Sequence, residues 1–261
     1  MNPPAIRTAP FTRSLRHGFG GVWRLTLPGF ARPGQLLKLA ALLAGFALLT
    51  LTSVRTAEAS VFFEWTIRYL TLLLPVMAFI SGGGTIRDDL KPETVDYVFT
   101  RPLPRPAFLV FKYTAHTAGL QASYLLALGV LLGVGAYRQV PGLLAALPLL
   151  LLAQVLAIGV FTAFGVLCGT LTARYLVVGM SYGSIVEIGV GSIPTQLSRL
   201  SLTHHLRDLL QPLASTALAV PPGPGPFTTT VLLVFVAAAM LGLAALVFGL
   251  RELVGGRPKE S

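Results

Sequence analysis

Long apolar runs alternate with short polar or proline-bearing breaks over most of this chain. Six runs are about 18 residues or longer and nearly free of charge, enough for a helix to cross a hydrocarbon core of about 30 Å. They cover Leu36–Val54, Val61–Ser81, Ala107–Gly135, Gly142–Leu171, Tyr175–Ile193 and Phe227–Leu250. None alternates with the period of two that a lipid-facing barrel strand requires. The pattern predicts an all-α, polytopic membrane protein with six transmembrane helices. Pro75 falls near the middle of the second run and Pro148 within the fourth. Each removes a backbone hydrogen bond and favours a kink or interruption there. The third run has 29 residues, about 43 Å as a helix, so it tilts or projects beyond the bilayer. Only Thr172-Ala173-Arg174 separates the fourth and fifth runs, which makes those helices antiparallel neighbours.

Between and before these runs, two segments show amphipathic rather than spanning periodicity. In residues 1–35, Phe11, Leu15, Phe19, Val22, Trp23 and Leu27 recur at roughly helical spacing, with Arg13, Arg16 and Arg24 mainly elsewhere around the helix. This is the pattern of an interfacial helix, weakened and open to a break at Gly18, Gly20 and Gly21. In residues 194–226, Ser201 is placed to cap a short helix with Leu202, Leu206, Leu209, Leu210 and Leu213 on one face. His204, Arg207 and Asp208 fall on the other. That helix is expected in the outer interface, stopped by the proline-rich stretch 220–226. The second run closes on Ser81-Gly82-Gly83-Gly84, read as a flexible exit from the membrane.

Composition agrees with this reading. The chain has 261 residues, 54% of them hydrophobic and 11% charged, against roughly 25% charged in an average soluble domain. So few polar side chains cannot cover a core built from six such runs. The first run begins after Arg32 with no short apolar core and cleavage site before it, which argues against a removable signal peptide. Net charge is +10, and its distribution speaks for topology rather than nucleic acid. With the N-terminus inside, fifteen basic residues fall on the cytoplasmic side. Five fall on the outer side, namely Arg55, Arg68, Arg138, Arg199 and Arg207. The positive-inside rule then puts both termini in the cytoplasm, the tail 251–261 included. Arg outnumbers Lys sixteen to four, as in GC-rich bacteria.

The most polar interior segment is 85–106. It holds Asp88-Asp89-Leu90-Lys91-Pro92-Glu93-Thr94, then Arg101-Pro102-Leu103-Pro104-Arg105, with Lys112 one helical heptad further on. A short helix is expected from about Lys91-Pro92, with Asp88 and Asp89 favoured at its positive end. Val95, Val98 and Phe99 would give it an apolar patch, and Pro102, Pro104 and Pro106 would end it and turn the chain back. Arg105 and Lys112 share a face of the returning helix. They can pair with lipid phosphate or with Asp88, Asp89 or Glu93.

These spacings resemble the cytoplasmic motif of type-2 ABC transporter permeases. In that family two acids precede a Thr, a Pro follows eight residues later, an Arg three after that and a Lys seven further on. Asp88/Asp89, Thr94, Pro102, Arg105 and Lys112 fit each interval. Glu93 stands where members commonly carry Gly just before the Thr. The resemblance implies an elbow helix within 1–35, a six-span domain over 36–250 and an outer segment before the last span. It implies that 85–106 carries the coupling helix that contacts a separate ATPase. Asp88, Asp89, Glu93, Thr94, Pro102, Arg105 and Lys112 are then the coupling residues. The implied assembly is a homodimer or related heterodimer of permease chains with two ATPase subunits, in a bacterial inner membrane. The implied activity is ATP-driven export. A non-transporting scaffold that anchors a cytosolic ATPase is the alternative.

Other chemistry is weaker. No Gly-x-x-x-x-Gly-Lys-Ser/Thr sequence is present, so ATP hydrolysis is expected in a separate chain and no enzyme activity or cofactor in this one. Gly179-Met180-Ser181-Tyr182-Gly183 fits a nucleophile-elbow pattern but lies within a span, not on a strand-to-helix turn. His204 and Asp208 converge at i, i+4, and two ligands fall short of a metal site. The lone Cys168 can form no intramolecular disulfide. Glu187 is the one carboxylate deep within a span. A central charge costs about 2.5–3.5 kcal/mol on insertion scales, so it should face protein or a wet cavity. Glu187, Gln154 and His116 are the candidates for lining a translocation path. Bonding across helices is the competing expectation for Gln154 and His116, and pairing with Arg199 or a partner helix that for Glu187.

Overall fold

The computed structural model describes residues 11–33, 40, 41, 43–45, 47, 48, 51, 59–90, 103–189, 199, 201–214 and 225–250. All secondary structure among them is helical. An N-terminal helix α1 (Phe11–Thr26) runs into a 3-10 turn, Leu27–Ala31. Among the described residues four helices are long and apolar enough to cross a membrane: α2 (Ala59–Asp89), α3 (Arg105–Tyr137), α4 (Leu143–Leu171) and α7 (Pro226–Leu250). Between the last two lie α5 (Tyr175–Tyr182), continued by a π-helical stretch Gly183–Gly189, and α6 (Leu202–Ala214).

These four correspond to the second, third, fourth and sixth expected spans. Of the first, Leu36–Val54, the described positions are helical and the remainder lies outside the described residues. The fifth is helical from Tyr175 to Gly189, and residues 190–193 lie outside them. α1 is unbroken through Gly18, Gly20 and Gly21. Gly18 lies against Leu103, where an added Cβ would come within 2.6 Å of that side chain.

Two expectations need correction. The stretch Gly82–Gly84 is not an exit, because α2 continues through it to Asp89. The reason is a close crossing with α4, against which α2 packs most extensively. A Cβ on Gly82 would sit 2.6 Å from the Thr162 carbonyl oxygen, and one on Gly169 2.7 Å from that of Gly83. One on Gly165 would strike the Phe79 carbonyl oxygen and come within 2.9 Å of the Gly83 nitrogen. Gly165 and Gly169 are spaced as small-xxx-small, which lets backbones touch where lipid supplies no hydrophobic drive. The glycines thus gain contact instead of ending the helix. Pro148, in turn, does not interrupt α4. It lies within the first two turns, where a single lost hydrogen bond leaves the helix continuous. Pro75 lies two residues beyond a π-helical turn, Tyr69–Leu73, a wider winding that accommodates a pyrrolidine ring.

The core fills the space between α2, α3, α4, α6 and α7. Phe62, Tyr69, Leu70, Leu74, Leu128, Leu131, Leu150 and Ile158 are its largest fully buried members along the spanning helices. Buried Thr66 and Thr71 return their hydroxyls to the carbonyls of Phe62 and Ile67, which spares the core an orphaned donor. Outward-facing Phe227, Phe235, Leu246 and Leu250 on α7, and Val177, Met180 and Ile185 beyond α4, are exposed. This is the apolar girdle that a hydrocarbon solvent permits.

α6 keeps its expected faces but not its expected neighbour. Leu202, Leu206, Leu209 and Leu210 are buried in the core, where α6 packs on Ala59–Arg68, α4 and α7. The leucine stripe is therefore satisfied by protein rather than by the outer lipid interface. Ser201 caps the helix as expected, its Oγ accepting from the His204 backbone N–H at 3.0 Å. Replacing Ser201 with alanine is expected to lower stability by about 1 kcal/mol, read as a fall in melting temperature of the detergent-purified protein.

Candidate functional site

Asp88 and Asp89 occupy the last turn of α2. That is a negative helix end, which disfavours carboxylates. Asp89 meets its counter-charge across the interhelical gap, where Lys112 Nζ donates to its Oδ2. Both side chains are 17% exposed, so the pair is enclosed well beyond a surface ion pair. The Lys112 ammonium also lies 5.9 Å from the centre of the Phe108 ring. Arg105 opens α3 and Lys112 follows two turns later. One of the sequence-level pairings of Lys112 is therefore realised, that with Asp89. Glu93, Thr94 and Pro102 lie outside the described residues, as does the short helix expected from Lys91.

This end of the bundle is held from two sides. Ile86, Leu109, Val166, Ala244 and Phe248 form a small core of their own between α2, α3, α4 and α7. Arg87 Nε donates to the Thr172 carbonyl at 2.9 Å, tying the end of α2 to the turn between α4 and α5. That turn brings α5 back along α4, with the Phe164 and Tyr182 rings 4.7 Å apart.

One helical turn inward from the ion pair, polar contacts continue. Buried His116 of α3 bonds to Ser81 Oγ through Nε2 at 2.8 Å and to Thr85 Oγ1 through Nδ1 at 2.9 Å. Ser81, Thr85 and Asp89 recur every four residues on α2, and Lys112 and His116 do so on α3, so the two stripes face each other. Phe30, from the turn after α1, lies 5.2 Å from the imidazole and fills the space over Gly119. Sequence reasoning missed Ser81 and Thr85. Their i, i+4 spacing from Asp89 was the available clue, hidden by reading the glycines as a helix end.

The other two candidates lie in separate surroundings. Glu187, on the π-helical stretch after α5, binds the start of α6 with both oxygens. Oε1 accepts from Leu202 N–H at 3.0 Å. Oε2 accepts from Thr203 N–H at 3.0 Å, from Ser201 Oγ at 2.6 Å and from Thr203 Oγ1. A carboxylate at free helix N–H groups is the favourable arrangement for a buried negative charge. Of the two competing expectations, a helix partner is found in α6, and among the described residues no ion pair joins Glu187 to Arg199. Gln154 is fully buried in α4, and neither its Nε2 nor its Oε1 has a hydrogen-bond partner among the described residues. No hydrogen bond among the described residues joins His116, Gln154 and Glu187 to one another. His204 Nε2 and Asp208 Oδ2 converge at 3.5 Å as their spacing implies. No group of three or more candidate metal ligands forms among the described residues.

Compared with known proteins, the chain matches no family model and no curated protein.

Proposed function

We propose that this chain is the permease subunit of a type-2 ABC exporter, in which residues 85–106 receive the power stroke of a separate ATPase. The observation that carries the proposal is the enclosed Asp89–Lys112 pair. It clamps the two helices between which that segment is strung, using the acid and the lysine of the motif. A push on the segment then acts on α2 and α3 together rather than bending one stem. The glycine crossing of α2 with α4 and the Arg87 bond to Thr172 extend the rigid connection to α4 and α5.

In this reading the complete domain has six spans in a bacterial inner membrane, with α1 as the cytoplasmic elbow helix and both termini inside. Two permease chains, identical or related, join two ATPase subunits and enclose the path between them. Glu187 and His116 are bonded within their own chain, which supports anchoring roles for them over direct contact with cargo.

The test is co-purification with the cognate ATPase, followed by reconstitution and a search for ATP-dependent flux of candidate lipids, glycans, peptides or drugs. Stable association and ATP turnover without flux of any candidate would favour the scaffold. Within the assembled complex, reversing Asp88 and Asp89 to Lys is expected to abolish coupled turnover while the spans stay folded. Adding Lys112→Asp to Asp89→Lys should restore part of it. Wild-type assembly and turnover in the reversed variant would remove the coupling role.

A further inference from the structure

The ion pair at the end of the bundle depends on register. Lys112 and Asp89 meet only if α2 and α3 are aligned to within a fraction of a turn. Tyr69 Oη donates to the Tyr124 carbonyl at 3.3 Å at the far end of the same two helices, and the end near the ion pair needs a mark of its own. The Asp89 carboxylate and the Lys112 stem are flexible and can follow a small shift, so the pair alone is a poor ruler. His116 is a better one. Its ring is buried, and its two nitrogens flank one ring carbon, with Thr85 Oγ1 within 2.9 Å of Nδ1 and 3.1 Å of Nε2. It engages hydroxyls on two successive turns of α2, Ser81 and Thr85. Rotating or sliding α2 against α3 by one residue breaks both bonds at once, at a site where the imidazole is buried and the hydroxyls are half-buried.

We infer that His116 is a positioning residue that sets the register of α2 against α3 and thereby brings Asp89 to Lys112. The aromatic ring of Phe30 presses on the imidazole from the turn after α1, so the N-terminal segment holds the ruler in place. Ser81 and Thr85 are the marks it reads. The mechanical use of this register rests on the coupling role proposed above. The register itself rests on geometry alone.

The experiment uses the full-length chain in native membranes, with the lone Cys168 replaced by alanine and cysteines introduced at positions 89 and 112. The reading is the rate of cross-linking by a short bifunctional thiol reagent, at matched amounts of folded protein. With His116 present, cross-linking should be fast. His116→Ala should slow it by about fivefold or more, the size expected when a coupled interhelical contact is lost. His116→Gln, which keeps a donor and an acceptor, should recover much of the rate. Thr85→Val should slow it too, and should add little to His116→Ala because both remove the same contact. Should His116→Ala fail to accumulate, Thr85→Val and His116→Gln carry the measurement. Unchanged cross-linking in His116→Ala or Thr85→Val overturns the inference, as does a Gln variant as slow as the Ala variant. No ATPase and no transport enter this assay, so its failure is distinct from failure of the permease reading.

Discussion

Replacing Gly165 with alanine is expected to prevent α2 and α4 from reaching their native separation. The added methyl would strike the carbonyl oxygen of Phe79 and lie 2.9 Å from the backbone nitrogen of Gly83. Those are main-chain atoms of a continuous helix and cannot turn aside as a side-chain tip can. Overpacking costs typically 1–3 kcal/mol, and a backbone obstacle puts this substitution at about 3 kcal/mol or more. The measurement is the melting temperature and the monodisperse yield of the detergent-purified variant. Gly242→Ala is the internal control, since nothing lies within 4 Å of a Cβ there. Alanine should leave that site unchanged or slightly stabilised through its higher helix propensity. Equal behaviour of the two variants would mean that the crossing is looser than described.

Removing the carboxylate of Glu187 should release α6. Glu187→Ala strips an acceptor from two backbone N–H groups and two hydroxyls at once. Hydrogen bonds to a charged group contribute about 1.5–3 kcal/mol each, but four on one carboxylate do not add, so a total near 3 kcal/mol is reasonable. Glu187→Gln should fall between the two, because its amide retains one acceptor oxygen and turns a donor toward the remaining donors. Loss should appear first as faster amide exchange in 202–214, since Glu187 accepts from the first-turn N–H groups of α6. If amide exchange in α6 and the melting temperature of Glu187→Ala match the wild type, the carboxylate does not anchor the helix.

Much of the helical layout was legible in sequence because a spanning helix announces itself by length and apolarity alone. Four of the six runs correspond to helices that can cross a membrane, with ends within a few residues except at the glycines. The Ser201 cap and the leucine face of α6 were also readable, since they depend on local spacing. What was not legible depended on partners distant in sequence. Gly82–Gly84 reads as a break until Gly165 and Gly169 are known to lie against it. The leucine face of α6 needs an apolar neighbour, and nothing in 194–226 says whether that is lipid or Phe62 and its surroundings. Glu187 had to be paired, as its insertion cost required, yet the donors are fourteen to sixteen residues away. In the candidate site, Asp89 and Lys112 came from the motif resemblance, with their pairing one of several that sequence allowed, while Ser81 and Thr85 needed a helix that the glycines concealed.

The widened turn at Tyr69–Leu73 has a consequence for length variation in α2. Such a turn is one surplus residue in an otherwise regular helix. Deleting any single residue there would let the winding tighten into a regular α-helix and leave everything beyond it facing nearly as it does now. Phe62 and Thr66 would keep their places, and Ser81, Thr85 and Asp89 would stay on the side that meets α3. The widened turn is thus the one place in α2 where a residue can be lost without re-aiming the rest, whereas shortening a regular stretch would rotate the remainder by about 100°.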